Sequence, residues 1–166
     1  LRGCGNSAPG GQTFGLNESK DVQAAVQMLR RRSYIDPDRI AIIGSGTGAN
    51  AALLASLNDP AIAALVLERP ACDPQQLMDR FILHTPALKF MQPLYRWAFE
   101  VAYGVNMDDL RPDRFSEIFS TGKVLTLDKP GIYNALSRDL TVEQISLFLH
   151  RHLNGNFHPS VVSNTL

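Results

Sequence analysis

The chain has 166 residues, enough for one domain around one hydrophobic core. An apolar fraction of 45% and a charged fraction of 19% exclude an intrinsically disordered chain. Lysine plus arginine and aspartate plus glutamate number 16 each, so no net field draws nucleic acid or anionic lipid. No apolar run approaches the ~20 residues of a membrane span either.

Residues 1–16 are rich in glycine and small polar residues and read as a loop. No signal peptide opens the chain, and its first residue is Leu1 rather than methionine, as in a fragment, a processed product or an incomplete gene model. From Asn17 the pattern becomes helical. Val22, Ala25, Val26 and Leu29 recur on one face, with Glu18 and Asp21 at the front and Arg30, Arg31 and Arg32 at the back. That arginine run is the one dense basic cluster, and complementing the helix dipole accounts for it more simply than a phosphate site does. Tyr34 to Asp38 makes a turn at Pro37.

Arg39 to Gly44 is apolar without alternation, which predicts a parallel strand buried on both faces. After a turn at 44–48, Ala49 to Leu57 predicts a helix with no polar face, held within the core. Asn58-Asp59-Pro60 ends it, and Ile62 to Leu67 predicts a second buried strand. Helix, strand, helix and strand alternate with short connections, the pattern of a right-handed parallel α/β sheet. Residues 74–103 read as mainly helical, with a break near Pro86 and a second candidate break near Pro93. Phe81, Phe90, Tyr95, Trp97, Phe99 and Tyr103 gather there, and such a stripe predicts core or cap packing. Val105 to Gly122 carries turns and one short helical stretch, and Val124 to Leu127 a third strand. Thr141 with Gln144 forms a capping box that opens a last helix, whose buried face is Val142, Ile145, Phe148, Leu149 and Leu153. Residues 154–166 read as a loose tail.

Gly44-Ser45-Gly46-Thr47-Gly48 joins a buried strand directly to a buried helix, where small residues permit a sharp reversal. The arrangement resembles the nucleophile elbow of α/β-hydrolases, G-x-S-x-G. Arg2-Gly3-Cys4-Gly5-Asn6-Ser7 resembles the R-G-x-G-x-S segment after the fourth strand of that fold. Tyr34 to Ile43 is similar to the I-D-P-x-R-I approach of the dienelactone hydrolase and prolyl-oligopeptidase-like branch. The resemblance implies a partial α/β-hydrolase fold: one domain over 1–166, a parallel sheet flanked by helices, and a helical cap-like insertion at 74–120. It also implies that strands preceding the chain are missing, which leaves the 39–44 strand with an unpaired edge. That edge calls for a second copy, another partner or the missing N-terminal part.

In the family's register Gly44 is the first glycine, Ser45 the variable position, Gly46 the nucleophile and Gly48 the last glycine. The attacking hydroxyl therefore has no side chain to carry it. Ser45 is adjacent, but a shift of one residue exceeds the ~1 Å that already costs ~10²-fold in rate. The Thr47 amide, one of the two oxyanion donors, survives. Lys129-Pro130-Gly131-Ile132-Tyr133 matches the family's Gly-His segment and puts Ile132 where the histidine belongs, and isoleucine moves no proton. Val124 to Leu127 fits the seventh strand by its spacing from Leu110 and the eighth by its spacing from the last helix, as if a strand and its crossover were deleted. Asp128 is the nearest candidate acid and Asp73 the next.

Other chemistry finds little support. His150 and His152 lie about 200° apart around a helix and cannot chelate one metal, and His84 and His158 read as surface or capping residues. Cys4 and Cys72 lack metal-ligand spacing and read as small apolar fillers or free thiols, the usage of a reducing, cytoplasmic compartment. Gly44-x-Gly46-x-x-Ala49, with Glu68 closing the next strand, leaves a dinucleotide fingerprint open locally, although the flanking hydrolase-like segments weigh against it. The expectation is therefore hydrolase architecture without hydrolase chemistry, with no cofactor and no metal, acting as a binding or structural module for a small apolar ligand. An active ester or peptide hydrolase using Ser45, or completed by another chain, is the alternative; a fragment without function of its own is the third.

Overall fold

The computed structural model of the chain describes residues 1–8, 10–70, 73, 90–127 and 135–154, with backbone alone at 135–140. Helix α1 (Glu18–Arg30) leads to strand β1 (Ala41–Ser45), helix α2 (Thr47–Asn58) and strand β2 (Ala64–Glu68). Helix α3 (Gln92–Tyr103), two 3-10 turns at Met107–Leu110 and Pro112–Phe115, and short helix α4 (Ser116–Ser120) precede strand β3 (Val124–Leu127). Helix α5 (Ala135–Asn154) follows. The strands form one parallel sheet in the order β1-β2-β3, with Ala41 opposite Ala64, Ser45 opposite Glu68, and Leu65 opposite Val124. This is a partial α/β fold, a parallel sheet flanked by helices.

The core forms where α2 lies on the sheet. Ala49 to Ser56 are all buried, as the absence of a polar face requires. Leu53, Leu65 and Leu67 pack with Met107, Leu110 and Phe115, and α1 packs on the outside of α2. β2 is central and buried at every residue. The β1 expectation needs correction: Ile43 is 60% exposed and Ser45 is exposed, so β1 is not buried on both faces. Helix α2 covers the face bearing Ile42, whereas alternation puts Ile43 and Ser45 on the opposite face, which is open over β1.

Three further expectations are corrected. Of the described aromatics at 90–103 only Phe99 packs against the core, its ring 5.5 Å from Phe14 and 4.8 Å from Tyr103, while Phe90, Tyr95, Trp97 and Tyr103 are exposed rather than core. Leu94, Trp97 and Val101 of α3, with Phe90 just before it, recur at a 4-3-4 spacing, and each is more than half exposed. Pro93 does not break α3 but sits in its first turn, where a proline removes no needed donor. Thr141 lies inside α5, which begins at Ala135, and Val142 of its expected buried face is exposed. His84, Phe81, Cys72, Pro86 and the tail after Asn154 lie outside the described residues.

The glycine-rich front is tied down by charge. Arg2 clamps Asp21 of α1 through its backbone N–H at 2.8 Å and its guanidinium Nη2 at 2.6 Å. At the other end of α1, Arg30 pairs with Asp59 and donates to the Pro37 carbonyl, a helix-end role that needs no phosphate.

Candidate functional site

The strand-to-helix junction is built by three glycines with different duties. A Cβ on Gly44 would stand 2.5 Å from the Gly48 carbonyl oxygen, so Gly44 is required for α2 to pass close over the end of β1. Gly46 has φ 54° and ψ −118°, a left-handed conformation that reverses the chain between strand and helix in one residue. Its N–H donates to the Glu68 carbonyl at 2.9 Å, and its carbonyl accepts from the Ala49 and Asn50 amides at 3.0 and 3.2 Å. A Cβ at Gly46 or Gly48 would meet no atom within 4 Å, so the space over the turn is open.

Ser45 is the last residue of β1, exposed and paired in register with Glu68. It precedes the reversal rather than forming it. Thr47 opens α2, so its amide belongs to the first turn, where N–H groups lack helical acceptors and can meet an anionic oxygen. Asp73 is half-buried, while Asp128 and Ile132 lie outside the described residues. Of the histidines, His152 Nδ1 lies 2.9 Å from the Phe148 carbonyl, and His150 Nδ1 accepts from the Asn154 amide at 2.8 Å. Both are engaged locally on α5. Among the described residues no group of histidine, cysteine, aspartate and glutamate could hold a metal ion, and no helix is long and apolar enough to cross a membrane. Cys4 is an exposed free thiol.

Glu68 escaped the sequence reading as a site residue of the hydrolase type. It closes β2 beside the elbow and is only 4% exposed, and its Oε1 has no hydrogen-bond partner. The signal was present in Ala64-Leu65-Val66-Leu67-Glu68, an apolar strand that ends on an acid at its carboxyl end, where open α/β sheets bind ligands.

The family model of the prolyl oligopeptidase family matches residues 9–98, a span that contains the elbow, both strands beside it and Glu68. No curated protein and no solved structure matches the chain.

Proposed function

The chain belongs to the prolyl oligopeptidase family, an α/β-hydrolase family of serine peptidases, and on that premise we propose that it is a member without serine-hydrolase catalysis that binds a small ligand over its elbow. One observation carries the reading: the residue that turns from β1 into α2, at φ 54° and ψ −118°, is a glycine. The elbow of these enzymes holds the attacking hydroxyl at the reversal itself, where the sharp turn exposes it at the top of the sheet, facing the cleft. Here the framework is kept, down to the close approach at Gly44 and the amide of Thr47, while the attacking atom is absent.

Such a framework retains a binding capacity. Space over Gly46 and Gly48 is open, and the first turn of α2 offers N–H groups to an electron-rich atom. The competing reading, hydrolysis through Ser45, draws on the exposure of that hydroxyl. A fluorophosphonate probe separates the two. No covalent labelling of the purified chain is expected, and labelling that disappears in Ser45→Ala would overturn the proposal.

A further inference from the structure

Two carboxylates of the described chain are almost fully buried, and the fold treats them differently. Glu18, 1% exposed, accepts the Thr13 N–H at 2.8 Å, the Thr13 hydroxyl at 2.6 Å and the Gly15 N–H at 3.0 Å. Glu68 is 4% exposed, and its Oε1 accepts nothing. A buried oxygen deprived of a donor is costly, and each case in a native structure calls for a cause.

Its surroundings supply one. Glu68 ends the central strand at the carboxyl edge of the sheet, and its backbone carbonyl is bonded to the N–H of Gly46. Register and alternation put its side chain on the same face as the exposed Ser45, next to the open space over Gly46 and Gly48. The nearest cation in sequence is turned away: Arg69 is exposed at φ 48°, a left-handed conformation uncommon for a residue with a side chain, and makes no ion pair with Glu68. A divalent cation would require several oxygen ligands, and the described residues gather no such set.

We propose that Glu68 is a recognition residue whose Oε1 accepts a hydrogen bond from the protonated amine of a small ligand lying over the elbow. This rests on the reading of the elbow as a binding site. An ammonium group donates a charge-assisted hydrogen bond to a carboxylate oxygen, shorter and roughly twice as strong as that of a neutral donor. The non-polar remainder of the ligand lies over the glycine turn, where a Cβ at Gly46 or Gly48 would meet no atom within 4 Å.

Benzylamine and its neutral analogue benzyl alcohol, titrated into the full chain near pH 7 and followed by amide chemical shifts, test the proposal. Benzylamine is expected to saturate, to shift the Gly46 and Gly48 amides, and to bind at least about tenfold more tightly than the alcohol. Glu68→Gln, with folding checked by its thermal transition, is expected to erase that preference. Equal affinities, no saturable binding, or a preference that survives Glu68→Gln would each overturn it. Should Glu68→Gln fail to fold, the comparison of amine with alcohol on the unaltered chain, and the location of the shifts, still decide. Fluorophosphonate labelling of Ser45 would reject the silent elbow while leaving an amine preference intact. Absence of that preference in the unaltered chain, with no fluorophosphonate labelling, rejects the role of Glu68 alone.

Discussion

Gly44 and Gly46 stand two residues apart in the same turn, and a methyl group added to each meets a different obstacle. At Gly44 it would stand 2.5 Å from a backbone oxygen of α2, which can yield only by moving the helix. At Gly46 it would enter open space, and the cost is conformational, about 1–3 kcal/mol for a side chain held in a sparsely populated region. Gly44→Ala is therefore expected to destabilise the chain more than Gly46→Ala in urea unfolding monitored by circular dichroism. The reverse order would mean that packing against α2 is looser than the approach of Gly48 implies. The glycines themselves were legible from spacing; which of them was steric and which conformational was not, because that depends on where α2 crosses β1.

At the scale of elements, α1 shows how a local pattern acquires specific partners. Acidic residues in its first turn were expected to complement the dipole, and Glu18 and Asp21 do more. Burial works to raise the Glu18 carboxyl, but hydrogen bonds from Thr13 and Gly15 outweigh it and hold the group below its ordinary value. The Arg2 guanidinium holds Asp21 down to about 2. A carboxyl lowered on folding contributes stability that is fully present above its unfolded value and lost as pH falls through the folded one. For Asp21 that window runs from the ordinary 3.8 down to about 2. In acid unfolding, Asp21→Asn should flatten the fall in stability across this window, and an unchanged slope would show the Arg2 clamp to be energetically idle. Among the other elements, α2 and β2 follow directly from composition, since a helix or strand apolar on every side has nowhere but the core. The start of α5 does not: Thr141 and Gln144 carry a valid capping pattern, yet the chain is already helical at Ala135. Local capping preference is worth about 1 kcal/mol and yields to an established helix.

For the whole molecule, the decisive feature is an open edge. Gly46 donates across the sheet to Glu68, so by the alternation of a parallel ladder the backbone groups of Ala41, Ile43 and Ser45 face away from β2. No described strand pairs with them, and Ile43 adds an exposed apolar side chain to the same strand. Unprotected edges of this kind recruit further strands. Light scattering of the purified chain is expected to rise with concentration, and Ile43→Lys to suppress it; equal scattering from both would show that the edge is not the adhesive surface. The same strand exposes the limit of a one-dimensional reading. Its continuous apolar run announces a strand meant to be covered, but a run of letters does not say whether the cover is there.

What the sequence determined by itself was the alternation of helix and strand, the parallel arrangement, the membership implied by three motifs in order, and the glycine at the turn. Each follows from interactions within a few residues or from a pattern of apolar spacing. Only the tertiary structure decided that Ile43 and the Phe90-Leu94-Trp97-Val101 stripe face outward, and that a buried glutamate oxygen lies unanswered beside the elbow. Burial and hydrogen-bond satisfaction are properties of what arrives from elsewhere in the chain, and neither is encoded in the residue that experiences it.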